Sequence, residues 1–309
     1  MPKTIEDLKK SRKIRKQFIS KYGEILTSVW ENLYNKFKDG IFQYDERKQD
    51  KVALKRHEKM NYDKTNPELI EAFSMSSKNV RGTSEEAGLS TFPPKLAERV
   101  IKFYSELNDT ILDPFAGHNS RMQVAYQLNR NYIGYDVSHK FMEFNRKVVK
   151  EIVGEGLQNQ LFTSDNKIIL REQSSEKLLE SDNSIDCIFT SPPYYKIEFY
   201  TSEPEQLFYS KTYDEFLQRM KTIIKECYRV LKNNKFCIFN INDFRYNNKF
   251  YTYHCDIVRL FEEVGFRLWD IIIIKWNSSI AACFASQIEE RKVCGKMHEY
   301  LIVGKKYNG

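Results

Sequence analysis

From Thr91 onward, short runs of β-branched and aromatic residues alternate with longer stretches whose apolar positions recur every three to four residues. Each short run stops at an acid, a proline or a glycine, and that rhythm predicts βαβ units on a parallel sheet. Strands are predicted at Thr110–Asp113, Tyr132–Asp136, Lys167–Glu172, Ile185–Thr190, Phe236–Asn242, Leu268–Lys275 and Tyr300–Gly304. Helices are predicted between them at Lys95–Leu107, Ser120–Leu128, Lys140–Val153, Tyr213–Leu231 and His254–Val264. Seven strands with interleaved helices predict a doubly wound three-layer α/β domain, which binds ligands at the carboxyl ends of its strands. Upstream the period is helical throughout: Ile5, Leu8, Ile14, Phe18, Ile25, Val29, Leu33 and Phe37 follow one another with no intervening proline. A polar stretch from Asn61 to Leu89, with Pro67, Gly82 and Gly88, reads as a connection. It has room for a short helix at Pro67–Phe73. The chain therefore divides into a helical amino-terminal region with its linker, 1–90, and an α/β domain, 91–309.

Charge sharpens that division. Residues 1–60 carry 16 Lys and Arg against 9 Asp and Glu, which is the whole of the chain's net +7. Lys9, Lys10, Arg12, Lys13, Arg15 and Lys16 are its densest cluster. A solvated helix face is one reading and a polyanion-binding arm the other; confinement of the excess to one segment favours the arm. Aromatic residues make up 14% of the 309, which fits a protein that stacks on flat ligands. Apolar runs such as Ile271–Ile274 are too short to span a bilayer, and the amino terminus has no apolar signal core. The six cysteines are scattered without a C-x-x-C pair, so they read as reduced thiols of a cytoplasmic protein, with no metal site and no disulfide framework.

Four features with chemical content sit at predicted strand ends. Leu112-Asp113-Pro114-Phe115-Ala116-Gly117 runs a strand into an acid and a glycine turn. Gly117 lets backbone approach a ligand closely, and Asp113 places a carboxylate beside any cationic group there. Tyr132-Ile133-Gly134-Tyr135-Asp136 ends the next strand in an acid, the usual partner of ribose hydroxyls in nucleoside-binding sheets. Gln173-Ser174-Ser175 follows the third strand and offers an edge contact for an adenine ring. Thr190-Ser191-Pro192-Pro193-Tyr194-Tyr195 follows the fourth. Two prolines stiffen that loop and remove its donors, leaving hydrogen-bond acceptors beside a π face. Such a loop suits a planar, amine-bearing ring taken out of its stack.

Asp113-Pro114-Phe115-Ala116-Gly117 followed by Thr190-Ser191-Pro192-Pro193-Tyr194 resembles the amino-methylating DNA methyltransferases, over about residues 91–305. Phe92-Pro93-Pro94-Lys95-Leu96-Ala97 resembles the family's cofactor-side segment, and His298–Val303 its last strand. The resemblance implies a Rossmann-like, class I sheet of seven strands with the last antiparallel. It implies S-adenosyl-L-methionine as cofactor, held by Phe92, Lys95, Asp113, Phe115, Gly117, Asp136, Ser174 and Thr190. It also implies a base flipped from double-stranded DNA, with Ser191, Pro192, Pro193 and Tyr194 as the catalytic loop. Neither the target site nor a restriction partner follows from it. Ser in the first loop position is associated with cytosine-N4 methylation; adenine-N6 or RNA methylation is the alternative, and a non-catalytic nucleic-acid-binding relative a second. No Pro-Cys dipeptide is present, so the cysteine route to carbon-5 methylation lacks its nucleophile. One departure stands out: the family's Gly-x-Gly turn reads Gly117-His118-Asn119. Asn119 either takes the left-handed place of the second glycine or, with His118, reshapes the methionine end of the pocket. DNA recognition is expected from residues 1–90, the loop 196–211 or the insertion 277–296.

Overall fold

A computed structural model describes residues 92–117, 119–159, 166–197, 203–275, 292–294 and 296–307, with 13, 14, 16, 17, 20 and 27–30 upstream. Its strands are β1 (Val29–Trp30), β2 (Thr110–Asp113), β3 (Asn131–Asp136), β4 (Ile168–Glu172) and β5 (Ile185–Thr190). They continue with β6 (Leu231–Ile241), β7 (Phe244–Tyr246), β8 (Lys249–Tyr251), β9 (Arg267–Lys275) and β10 (His298–Lys305). The helices described in full are α1 (Pro94–Tyr104), α2 (Ser120–Gln127), α3 (His139–Asn159), α4 (Tyr213–Val230) and α5 (Tyr253–Val264). Eight strands form one sheet in the order β1-β9-β10-β6-β5-β2-β3-β4. All pair in parallel except β10, which runs antiparallel between β6 and β9.

Burial explains why the central strands read as nearly unbroken apolar runs. Every position of β5 is buried, because helices cover both faces of the sheet. Cys187 and Phe189 face a core shared with Leu96, Val100 and Ile101 of α1 and with Met122 and Val124 of α2. Ile188, on the opposite face, packs in a core with Phe216, Met220 and Ile224 of α4 and with Ile257 and Phe261 of α5. Local signals set the helix ends. Pro94 opens α1 at its first turn, where the missing N–H costs nothing. Thr212 accepts the Glu215 N–H at 3.1 Å to cap α4, while Glu215 accepts the Lys211 N–H at 2.8 Å. Gly265 ends α5 with a φ of 112° that favours glycine.

Two elements differ from the expectation. Val29, placed by its spacing in a helix, lies instead with Trp30 in β1, paired parallel to Ile273 and Ile274 of β9. Lys13, Ile14, Lys16, Gln17 and Ser20 are helical as expected. A short apolar run fits either period; the open edge of β9 and a buried slot for the Trp30 ring decide it. The second is the antiparallel pair β7 and β8, not predicted at all, which sits between β6 and α5. Asn247 and Asn248 turn it with φ of 47° and 61°, the two positive values of a tight hairpin turn.

Candidate active site

The turn after β2 is built around a buried carboxylate. Asp113 is 0% exposed, and its two oxygens meet four donors. Oδ2 accepts from Arg121 Nε at 2.6 Å and from the Tyr132 hydroxyl at 2.9 Å. Oδ1 accepts from the Thr190 hydroxyl at 2.6 Å and from the Phe115 N–H at 3.2 Å. Burial, reinforced by the adjacent Asp113 carboxylate, holds the Tyr132 phenol well above its usual range, so it remains a donor. Arg121 also donates from Nη2 to the carbonyls of Phe115 at 2.7 Å and Ala116 at 3.2 Å. Its guanidinium lies 4.8 Å from the centre of the Phe92 ring. Asp113 thus holds the turn in shape through Arg121 and grips the base of the Ser191–Tyr194 loop through Thr190.

Asp136, at the end of β3, faces the same turn. Its Oδ2 accepts the Gly117 N–H and its Oδ1 the Ser138 N–H, both at 2.8 Å. Burial pushes this carboxyl up to about 6 despite those two bonds, and the neighbouring Asp113 adds to the rise. Each carboxylate oxygen can take a second donor, so acceptor capacity is left over. Gly117 has a φ of 47°, and its carbonyl accepts from Asn145 Nδ2 at 2.8 Å. Gly134 lets the two strand ends approach: a Cβ there would come within 2.7 Å of Tyr132 Cε1 and 3.0 Å of the Ala116 Cβ. Asn119 corrects one expectation. Its φ is −59°, so it does not occupy a left-handed position; Gly117 does. Its Oδ1 and Nδ2 are nevertheless buried without a partner among the described residues, as is Asn145 Oδ1. Unsatisfied polar atoms of this kind are costly unless a polar ligand meets them.

The Ser191–Tyr194 loop is held by rings rather than by charges. Ser191, Pro193 and Tyr194 keep part of their surface, while Pro192 and Tyr195 are buried. Tyr194 lies edge-on at 5.8 Å from Phe244 and 5.9 Å from Tyr253, whose hydroxyl reaches the Pro193 carbonyl at 3.5 Å. Tyr195 is locked among Tyr213, Phe216, Tyr246 and Tyr251 at 5.6 to 6.3 Å, and its hydroxyl donates to the Lys211 carbonyl at 3.1 Å. That packing makes Tyr195 a foundation for its half-buried neighbour Tyr194.

Ser174, in the turn after β4, accepts the Glu176 N–H at 3.2 Å and lies 3.1 Å from Glu176 Oε2. Arg219 of α4 grips Glu176 through two bonds of 3.1 and 3.0 Å and donates to the carbonyls of Gln206 and Glu205. The turn that holds Ser174 is thereby tied to the segment that follows the Ser191–Tyr194 loop. Phe92 meets Phe189 edge-on at 5.4 Å, one strand residue before Thr190. Lys95 lies in the first turn of α1 and is half-buried. The twelve predicted site residues thus fall at the carboxyl ends of β2 to β5 and in the segment that opens α1. Arg121 was missed: a lone arginine inside a helix gives no hint that it is buried. Its one trace in the sequence is its place, the second residue of the helix that follows the acid and glycine turn.

The sheet order, with the last strand inserted antiparallel beside β6, and this strand-end site define a class I, Rossmann-like methyltransferase fold. The model of the DNA methylase family, which covers N6 and N4 enzymes, matches residues 3–147 and 185–308, and the chain belongs to that family. It is 32% identical over 69 residues to the type II methyltransferase M.MjaI of Methanocaldococcus jannaschii, 22% of each chain. It is 27% identical over 151 residues to M.MthZI of Methanothermobacter thermautotrophicus, 48% of this chain and 35% of the relative. The chain therefore spans between a fifth and about a third of these two curated relatives. A SAM-dependent methyltransferase of Methanosarcina mazei is similar at a TM-score of 0.45 and 15% identity, over 72% of this chain and all of the other.

S-adenosyl-L-methionine is the cofactor of this family, and the residues present fit it. Asp136 retains acceptor capacity for ribose hydroxyls, Gly117 presents backbone without a side chain, and the Asn119 amide offers a donor and an acceptor with no partner among the described residues. No helix among the described residues is long and apolar enough to cross a membrane. Most of the basic amino-terminal segment and of the stretch 277–296, and residues 198–202 of the loop 196–211, lie outside the described residues.

Proposed function

We propose that this protein transfers a methyl group from S-adenosylmethionine to the exocyclic amine of a base flipped from double-stranded DNA, cytosine N4 being the acceptor. The observation that carries this reading is the 2.6 Å hydrogen bond from Thr190 to Asp113, which joins the cofactor-side turn and the Ser191–Tyr194 loop into one unit. The cofactor, when bound, supplies an electrophilic methyl whose departure leaves a neutral thioether. The protein's own work is to position the amine.

An exocyclic amine is a weak nucleophile because its lone pair is delocalised into the ring. Acceptors on its two N–H groups let the nitrogen pyramidalise; the Ser191 Oγ and the Pro192 carbonyl are assigned that role. Tyr194 stacks on the base, its π face favouring the positive charge that develops there. Pro192 and Pro193 keep the loop from rearranging, so alignment supplies much of the rate. Asp136 is assigned to the ribose, Ser174 to the adenine edge, and Phe92, Lys95, Phe115 and Gly117 to the wall of the cofactor site. Asp113 acts through Arg121 and Thr190, as a positioning group. Nucleoside mass spectrometry of DNA from cells expressing the protein tests the assignment. N4-methylcytosine is the expected product, N6-methyladenine would transfer the same mechanism to adenine, and unmodified DNA would overturn the activity.

A further inference from the structure

The β7–β8 hairpin has two faces of different character. Phe244 and Tyr251, paired across it, stack at 4.9 Å with their planes 11° apart and turn towards the protein. There Phe244 meets Tyr194, and Tyr251 meets Tyr213 at 4.6 Å. The middle of the three opposed pairs, Arg245 and Phe250, faces away. Phe250 is 41% exposed, and two cations flank its ring: the Arg245 guanidinium at 4.8 Å and Lys296 Nζ at 5.0 Å. Lys249 stands at the tip, its ammonium 4.9 Å from the Tyr251 ring. Asp243 accepts from the backbone N–H and ring Nδ1 of His254 at 3.2 and 2.6 Å, and its Oδ2 lies 4.0 Å from Lys296 Nζ, which also donates to Asn242 Oδ1 at 3.0 Å.

A single exposed phenylalanine is ordinary on a protein surface. Here it is held between two cations on a tight-turned hairpin whose root touches the stacking residue of the catalytic loop. Each arm has three residues and so projects about 10 Å, roughly the height of three stacked base pairs. A stackable ring flanked by cations matches the chemistry of a nucleic acid, a polyanion with flat bases inside.

We infer that the β7–β8 hairpin is a duplex-contacting finger, in which Arg245 and Lys249 bind phosphates beside the target base and Phe250 packs into the stack where that base leaves. This rests on the reading of the protein as a DNA amino-methyltransferase, and it adds a contact surface between β6 and α5 to the segments expected from sequence.

The test is fluorescence anisotropy of the full chain with two labelled duplexes of mixed sequence, one fully paired and one carrying a single unpaired cytosine. Arg245→Gln/Lys249→Gln should weaken binding to both and lower the slope of log affinity against log salt by about 1.8, or 0.9 for each phosphate contact. Phe250→Ala should leave that slope in place and bind the duplex with the unpaired cytosine about tenfold more weakly. All three side chains are exposed, and thermal melts of the variants should match wild type. A double variant with wild-type affinity and slope overturns the finger. A Phe250→Ala variant that binds both duplexes as wild type does overturns the stacking role. Failure of the underlying reading looks different: a wild-type protein that binds duplex through the hairpin while cellular DNA stays unmethylated refutes the activity and leaves the finger standing.

Discussion

The two halves of the site are held together by opposite means. On the cofactor side, a fully buried carboxylate, a buried arginine and a chain of hydrogen bonds between 2.6 and 3.2 Å set the shape of the Asp113–Gly117 turn. On the base side, rings at 5.6 to 6.3 Å set the position of Tyr194 and Tyr195. Directional bonds tolerate little displacement, which suits a small cofactor of constant shape. Packed rings slide and tilt at small cost, which suits the base-receiving role proposed for this loop. Thr190 is where the two regimes meet, since its hydroxyl is bonded to Asp113 and its chain neighbour is Ser191.

The largest expected effect comes from breaking the polar half. Arg121→Ala leaves Asp113 buried with its ionic partner gone and should destabilise the protein by about 3–5 kcal/mol, measured by urea unfolding. Tyr194→Phe makes the contrasting case: it keeps the packed ring and should leave stability within about 0.5 kcal/mol of wild type. Equal losses in the two variants would erase the distinction between the halves.

Next in size is a crossed pair of functional effects. Asp136→Ala should weaken S-adenosylmethionine binding by about ten- to a hundredfold in calorimetry, the loss of about 1.5–3 kcal/mol expected for a charge-assisted hydrogen bond. Tyr194→Ala should leave that affinity near wild type and lower turnover by about tenfold or more, from lost stacking of about 1–3 kcal/mol. Ser191→Ala should behave like Tyr194→Ala. If Asp136→Ala binds the cofactor normally, the ribose assignment falls.

The smallest effect sharpens the polar side through pH. Asp136 is held up to about 6, so it is neutral below that value and charged above it. The charged form is the better acceptor for ribose hydroxyls. Cofactor affinity should therefore be full above pH 7, fall as pH drops through 6, and level off within the about ten- to hundredfold loss expected of Asp136→Ala. The sign for stability is the reverse. A carboxyl raised in the folded state stabilises the fold at low pH, and that contribution is lost as pH rises from about 4 through 6. Asp136→Asn should flatten both profiles; a wild-type affinity profile that is level from pH 5 to 8 would count against the assignment.

Much of this was legible in the residues themselves. All seven predicted strands of the α/β domain and all five of its helices are present, because strands covered on both faces write themselves as apolar runs closed by Asp, Gly or Pro. The strand-end positions of Asp113, Asp136, Ser174 and Ser191 follow from that alone. What local pattern could not decide depended on neighbours distant in the chain. Whether Val29 and Trp30 continue a helix or add a strand was settled by an open edge on β9, more than 240 residues further on. Arg121 reads as one more surface cation, and only the fold places it between a buried acid and two carbonyls. Asp113 reads as a ligand for something cationic; the tertiary structure supplies the cation from the protein's own α2. Asn119 follows a glycine turn and looks suited to a left-handed residue, yet the helix that begins behind it holds it right-handed and buries its amide. Period and punctuation report what each segment does with its own backbone and its two faces. Which buried charge meets which, and which edge receives a stray strand, is decided by contacts between segments, and no local pattern encodes those.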